Sequence, residues 1–134
     1  MITYKLIQNN KENSPTSGKW YARALHQMVT FDEFVEHMAA HHCVFSEATV
    51  KGVLIEMQTC LREMLLEGKA VRFDDLGIFR IGLKTKPADE PGEFNAKENV
   101  VGARLNIYLG KRFKAAGLRK DMRLCETPKN AVEE

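Results

Sequence analysis

Residues 66–84 read LEGKAVRFDDLGIFRIGLK, and within this stretch the spacing of the apolar residues changes. Before Gly68 they stand three or four positions apart, as in an amphipathic helix, and after it Val71 and Phe73 begin the alternation of a strand. Residues 74–77, Asp-Asp-Leu-Gly, favour a tight turn because Asp and Gly readily adopt turn conformations. We therefore predict that a helix ends at Gly68 and that strands joined by a turn follow it.

Two helices joined by a short loop are predicted before this stretch. The first begins near Thr30, whose side chain can cap the backbone of Glu33 while the Glu33 carboxylate reaches back. The second begins at Ser46 and runs to Gly68. Its apolar residues keep spacings of three and four, and they are Val50, Val53, Leu54, Met57, Leu61, Met64 and Leu65. The caps and the periodicity together indicate a helical hairpin.

Two long strands are predicted after the turn, each with one apolar face and one polar face. The apolar faces hold Phe79, Ile81 and Leu83 in the first strand and Leu105, Ile107 and Leu109 in the second. A period of two places these residues on one side of a sheet and their neighbours on the other. Residues 85–99 contain two prolines and one glycine, and they interrupt the alternation between the strands.

The ends of the chain predict shorter elements. Residues 2–8 and 19–27 are rich in β-branched and aromatic side chains and flank a polar loop, which indicates an N-terminal β-hairpin. A short basic helix is expected over residues 111–116 and a terminal strand over residues 122–125. This order of elements predicts an α+β fold rather than a doubly wound one.

The net charge of +2 conceals strongly charged segments of opposite sign. Residues 31–67 carry −5, whereas residues 68–86 carry +3 and residues 100–123 carry +6. A polarised surface of this kind favours an anionic partner. The alternative is a surface on which folding mixes the two signs. Between the two basic segments, residues 87–99 carry −3.

The composition indicates a soluble globular protein. With 44% apolar residues among 134, most of the chain is expected to fold, and no apolar run approaches the roughly 18 residues of a membrane-spanning helix. The first residues do not resemble a secretory signal, and three cysteines, an odd number, favour reduced thiols. We therefore expect a cytoplasmic protein without a membrane partner.

Catalytic motifs are missing from the sequence. It has neither a glycine-rich phosphate loop nor a nucleophile elbow, so we predict that the protein is not an enzyme and has no small-molecule substrate. A metal-dependent enzyme is a remote alternative, because His37 and His41 are four residues apart on a helix and His42 and Cys43 follow. No further ligand pair accompanies them, so we expect neither a metal nor a cofactor.

Basic side chains occupy the polar faces of the two long strands and continue beyond them. If the strands are antiparallel neighbours, their outward side chains line one surface, where Arg and Lys can neutralise phosphates and Asn can hydrogen-bond to a nucleic acid. The candidate DNA-binding residues are Arg80, Lys84, Lys86, Arg104, Asn106, Lys111 and Lys114. The alternative is a half-buried sheet whose solvent face simply carries Lys and Arg.

Three short strings follow the two predicted helices in a fixed order: residues 66–73, LEGKAVRF, then residues 76–81, LGIFRI, and later residues 110–114, GKRFK. This order resembles the HU/IHF family of bacterial histone-like DNA-binding proteins, over about residues 30–120. The added N-terminal β segment is similar to that of a divergent HU-like subgroup. The resemblance implies an IHF-like fold, in which a helical hairpin precedes a β-sheet saddle with an arm and a short closing helix.

The resemblance also implies a function. It implies a homodimer that binds double-stranded DNA with little sequence preference, as an architectural, nucleoid-associated protein that condenses DNA. Arg80, Lys84, Lys86 and Arg104 then belong to the saddle and the base of the arm, while Lys111 and Lys114 flank the closing helix. The implied domains are an N-terminal β extension, an HU-like DNA-binding domain and a disordered tail, over residues 1–28, 29–125 and 126–134.

The predicted arm departs from the family pattern. The tip of the family's arm carries an Arg-Asn-Pro-type motif, which residues 87–99 lack, and their charge of −3 is repelled by phosphates. We therefore do not expect sharp kinking of DNA. A second hypothesis stays open, namely a dimeric structural or protein-interaction module of HU-like fold that has lost DNA wrapping and docks partners at a sheet edge near Trp20 and Tyr21.

Overall fold

The computed structural model describes residues 1–128, which form two compact units. One unit contains Met1–Thr30 and the segment from Arg119 onward, and the other contains Phe31–Leu118. The predicted α+β class is confirmed, since the described chain contains both helices and sheets. In chain order the elements are β1 (Ile2–Gln8), β2 (Trp20–Ala24), α1 (Phe31–Ala40), α2 (Glu47–Leu66), β3 (Val71–Phe73), β4 (Gly77–Thr85), α3 (Ala96–Asn99), β5 (Val100–Leu109), α4 (Ala115–Asp121) and β6 (Leu124–Glu126).

The first unit is a three-stranded sheet formed by both ends of the chain, with the strand order β2-β1-β6. β1 and β2 pair antiparallel as the predicted hairpin, and β6 lies parallel to β1 with Leu124 beside Ile2. Thr127 extends this pairing, because its backbone N–H donates to the carbonyl of Tyr4 at 2.9 Å. Of the predicted disordered tail, residues 129–134 lie outside the described residues. The N-terminal strands therefore share their sheet with the C-terminal segment.

The second unit begins with the predicted helical hairpin of α1 and α2. Ser46 caps α2, as its Oγ accepts the backbone N–H of Thr49 at 3.2 Å. Gly68 follows α2 with φ of +83°, a left-handed conformation that glycine adopts without steric cost. The buried apolar side chains of the described residues are Val35, Val50 and Leu65, all on these helices. Much apolar surface therefore stays outside the core of a single chain.

The sheet of the second unit has the order β3-β4-β5, and both pairs are antiparallel. The predicted turn is present, because Leu76 N–H donates to Phe73 O at 2.8 Å. Gly77, at φ +143°, lies so close to the carbonyl of Tyr108 that a Cβ there would overlap it. The two predicted long strands, β4 and β5, are therefore neighbours, and helix α2 packs against β3 and β4.

The predicted helix over residues 111–116 is wrong in its bounds. Residues Lys111–Phe113 form a 3-10 turn, and α4 begins only at Ala115. The turn is tied to the β3–β4 connection, because Gly110 N–H donates to Leu76 O at 3.0 Å and Arg112 N–H donates to Asp75 O at 3.2 Å. These bonds hold the chain in a non-helical conformation and delay the start of the helix.

Candidate nucleic-acid interface

The antiparallel pairing of β4 with β5 brings four of the predicted residues onto one surface. Arg80 lies directly opposite Asn106, and Gly82 lies opposite Arg104. Lys84 is on the same side of β4 as Arg80, because successive side chains of a strand alternate. Directly opposed residues of an antiparallel pair project to the same side of the sheet. We call the surface formed by Arg80, Lys84, Arg104, Asn106 and Tyr108 the strand face.

Two glycines leave room on the strand face for the long side chains opposite them. A Cβ at Gly82 would lie 2.5 Å from Asn106 Nδ2 and 3.6 Å from Arg104 Nε, so both side chains lie across the space above this glycine. At Gly102 the nearest atom is Lys84 Cδ, at 3.8 Å from a Cβ position. Glycine within a strand often marks a place where another backbone approaches closely. The two glycines therefore allow the side chains of Asn106, Arg104 and Lys84 to lie across the neighbouring strand.

Tyr108 belongs to this surface, although it is not among the residues predicted from the sequence. The Arg80 guanidinium donates a hydrogen bond to Tyr108 Oη, and its Cζ lies 4.4 Å from the centroid of the ring. A cation held over an aromatic face is attracted by the ring quadrupole. Tyr108 lies two positions after Asn106 and four after Arg104, so strand alternation places all three on the same face of β5. This alternation could have identified Tyr108 from the sequence. The ring therefore orients the Arg80 cation on the surface.

The positive charges of the strand face have no acidic partners among residues 1–128. The ion pairs of this part of the chain lie elsewhere, and they join Lys51 to Asp32 at 2.6 Å, Lys69 to Glu67 at 2.8 Å and Arg112 to Asp75 at 3.5 Å. Arg72 of β3, which was also not predicted as a site residue, lies directly opposite Ile78 of β4. It therefore lies on the same side of the sheet as Arg80. The strand face is therefore a surface of uncompensated positive charge.

The β4–β5 hairpin ends in a folded loop, residues 86–99, which we call the acidic loop. Strand pairing stops at Thr85 and Val100, and just beyond it the backbone N–H of Lys86 donates to the carbonyl of Asn99 at 2.6 Å. The side chain of Asn99 closes the loop as well, because its Nδ2 donates to Lys86 O at 3.2 Å. Lys86 therefore lies at the junction of the strand face and the loop.

The interior of the acidic loop is organised by its own hydrogen bonds. Asn95 caps α3 by accepting the backbone N–H of Lys97 at 3.0 Å, and its own N–H donates to Asn99 Oδ1 at 2.9 Å. Residues Pro91–Glu93 form a 3-10 turn. The exposed acids of the loop are Asp89, Glu90, Glu93 and Glu98. The segment that interrupts the predicted alternation is thus a self-contained acidic loop.

Two further predicted site residues, Lys111 and Lys114, do not lie on the strand face. Lys111 lies in the 3-10 turn after β5, and Lys114 stands directly before α4. Neighbouring Arg112 is engaged by Asp75 through both its backbone and its side chain. The structure therefore brings together Arg80, Lys84, Arg104 and Asn106, and it places both of these lysines outside that group.

The residues considered for other chemistry lie apart from this surface. His37 and His41 have ring centroids 5.8 Å apart, and no three potential metal ligands of the described residues converge on one point. Partial desolvation, followed by the negative charges of Glu56 and Glu63, raises the pKa of the Cys60 thiol. A raised pKa disfavours the reactive thiolate.

Helices of the described residues are also too short or too polar to cross a membrane.

Comparison with known proteins gives a family and a similar solved structure. The family model for an HU domain fused to wHTH, Ig, or Glycine-rich motif matches residues 1–122. No curated protein matches the chain. A solved structure from Bacteroides vulgatus, described as a "putative bacterial DNA binding protein", matches with a TM-score of 0.63 and 16% identity. The match covers 93% of this chain and 47% of that one, so this chain spans about half its length.

Proposed function

Because the chain belongs to the HU-HIG family of HU domains fused to wHTH, Ig, or Glycine-rich motifs, we propose that it is an architectural, histone-like protein that binds duplex DNA as a dimer. The observation that carries the proposal is the strand face, where Arg80, Lys84 and Arg104 lie side by side without acidic partners in the described residues. Such a surface neutralises phosphates and releases their counterions.

The contacts of the strand face suit the DNA backbone rather than the bases. Arginine forms two parallel hydrogen bonds to a phosphate, and lysine adds a point charge. Asn106 offers a further hydrogen bond to phosphate or sugar. Backbone contacts fix position but carry no sequence information. Binding is therefore largely independent of sequence.

The opposite side of the same sheet supports a dimer. Leu83, Leu105 and Ile107 are 60%, 53% and 47% exposed, although strand alternation turns them toward the helical side. Between this side and α2 lies an apolar groove of about 370 Å³, whose walls include Leu61 and Ile81. Contiguous apolar surface of this kind marks a protein interface. We assign it to a second copy of the chain, in keeping with the intertwined homodimer that the resemblance to HU implies.

The acidic loop determines how far DNA is contacted. Its carboxylates repel phosphates, and its backbone is closed by Asn99 rather than extended as two strands. In this proposal DNA lies on the strand face, and the loop does not enter the minor groove. The protein therefore binds DNA without a sharp kink.

A second candidate function is supported by the first unit. Trp20 and Tyr21 are 62% and 49% exposed, and they lie on β2, an edge strand of the sheet β2-β1-β6. Exposed edge strands can pair with a strand of another protein. The candidate is thus a dimeric protein-interaction module of HU-like fold. Recovery of a specific partner from nuclease-treated lysate, together with a lack of duplex binding, would favour it.

The proposed function is tested by a salt titration of duplex binding. Fluorescence anisotropy on a duplex of about 30 base pairs is expected to show log affinity falling linearly with log salt, at about 0.9 per phosphate contact. The mass of the free protein in solution, measured in parallel, is expected to be that of two chains. Lack of binding even at about 50 mM salt would contradict the proposal.

A further inference from the structure

A second basic surface lies in the first unit of the chain. In the pairing of β1 with β2, Lys5 is directly opposite Arg23, and Ile7 is directly opposite Tyr21. These four residues therefore share one side of the sheet. Like charges directly opposite each other are destabilising in an antiparallel pair. Neither cation has an acidic partner within ion-pair distance among residues 1–128.

The same side of the sheet contains a shallow cavity whose charged lining residues are all positive. Its volume is about 590 Å³, and both Arg23 and Lys11 line it together with the ring of Tyr21. The amide side chains of this lining are Gln8, Asn9 and Asn10, and no carboxylate belongs to it. The cavity therefore offers cations, hydrogen-bonding amides and an aromatic ring to a ligand. We call Lys5, Lys11, Tyr21 and Arg23 the N-terminal basic face.

The loop that positions Lys11 is held in place by local hydrogen bonds. Asn9 Oδ1 accepts the backbone N–H of Lys11 at 3.1 Å, and Asn9 Nδ2 donates to Thr16 Oγ1 at 2.9 Å. Gln8 Nε2 donates to the carbonyl of Gly18 at 3.1 Å across the loop. The backbone beside the cavity is therefore ordered, and the Lys11 ammonium is left for an external anion.

The other side of this sheet differs in character. Leu124 lies beside Ile2, Leu6 lies opposite Ala22, and Glu126 lies beside Tyr4, so that side carries apolar residues and a carboxylate but no cation of the paired strands. The two cations of the paired strands, Lys5 and Arg23, thus lie on a single side of the sheet. A guanidinium, an ammonium and amide groups without carboxylates match the phosphodiester oxygens of a nucleic acid.

We propose that the N-terminal basic face is a second contact for the phosphate backbone of duplex DNA, in a different unit from the strand face. This inference rests on the proposed function, because it takes the same partner. It predicts that cations of both units contribute to the salt dependence of binding. It also assigns a role in DNA binding to the added N-terminal strands.

The test compares matched double variants of the full chain in the salt titration. Lys5→Ala/Arg23→Ala is expected to lower the salt slope by about 2 for each bound chain of the dimer, because each phosphate-contacting cation contributes about 1. The control Lys51→Ala/Lys69→Ala removes the same charge from residues paired with Asp32 and Glu67, and its slope is expected to be unchanged. Lys11→Ala, in the loop, leaves the strand pairing intact and is expected to lower the slope by about 1 for each bound chain.

The outcomes separate this inference from the proposed function. If the slope falls for Arg80→Ala/Arg104→Ala but stays at the wild-type value for Lys11→Ala and for the folded Lys5→Ala/Arg23→Ala variant, the N-terminal contact is overturned and the strand face stands. If Lys11→Ala weakens the binding of inorganic phosphate but not of the duplex, the inference is likewise overturned. Loss of slope in both sets of variants supports two contacts.

Discussion

The strand face and the acidic loop belong to one hairpin, yet they present opposite charges to a ligand. On β4 and β5, Arg80 and Arg104 lie on a side without carboxylate partners among the described residues, whereas past Thr85 the chain exposes Asp89 and Glu90. The strand face is fixed by regular pairing, and the loop is fixed by the side chain of Asn99. The net charge of +2 therefore says little about binding, because the location of the charges determines where phosphates can approach.

The largest expected effect comes from reversing charge on the strand face. Arg80→Glu/Arg104→Glu replaces two attractions by two repulsions, and it is expected to lower duplex affinity about a hundredfold at moderate salt. Anisotropy measures the affinity, and circular dichroism verifies the fold. Wild-type affinity in the folded variant would show that the strand face is not the site.

Neutralising the acidic loop is expected to act in the opposite direction. Asp89→Asn/Glu90→Gln/Glu93→Gln removes three repulsive charges near the DNA, and affinity is expected to rise by about tenfold at low salt and less at high salt. The matched control is Glu36→Gln/Glu56→Gln/Glu63→Gln. It neutralises three acidic residues of the helices and therefore has the same net charge as the loop variant. An equal gain in the control would mean that total charge, rather than the loop, sets the affinity.

The Tyr108 ring is expected to have a moderate effect. Tyr108→Leu removes both the hydrogen bond and the aromatic surface beneath Arg80, and a cation–π contact at an exposed site contributes about 0.5–1 kcal/mol. We expect affinity to fall about two- to fivefold, with Tyr108→Phe between Leu and wild type. In an Arg80→Ala background the Tyr108 substitution is expected to have no effect. A full effect in that background would show that Tyr108 does not act through Arg80.

Opening the acidic loop is expected to change dynamics more than affinity. Asn99→Ala removes the side-chain bonds to Lys86 O and to the N–H of Asn95. Hydrogen exchange of the Asn95 amide is therefore expected to become faster, while duplex affinity stays within about twofold, because the charges of the loop are unchanged. Unchanged exchange at Asn95 would show that Asn99 does not hold the loop.

Elements that depend on nearby residues were predictable from the sequence. The cap at Ser46, the end of α2 before Gly68 and the alternation around Arg80 each depend on residues a few positions apart. Such patterns also place Arg80 and Arg104 on outward faces, and the strand pairing then joins them. The shared side of Arg80, Lys84, Arg104 and Asn106 was predictable because a strand keeps its period of two when it folds.

Features that depend on distant contacts were not predictable in this way. The late start of α4 follows from hydrogen bonds between residues 110–112 and the turn at Asp75 and Leu76. The closure of the acidic loop depends on Asn99 reaching Lys86, thirteen positions away. Tyr108 was not predicted as a site residue because it carries no charge. Its contribution is to hold the cation of Arg80.

Lysine footprinting on the complex is the most direct test of where DNA lies, because it compares the two regions through the same side chain. Lys84 lies on the strand face and Lys97 lies in the acidic loop, and both are exposed. Acetylation is measured at each site by mass spectrometry, with and without saturating duplex. We predict that duplex protects Lys84 and leaves Lys97 reactive. Protection of Lys97 with Lys84 still reactive would contradict the account.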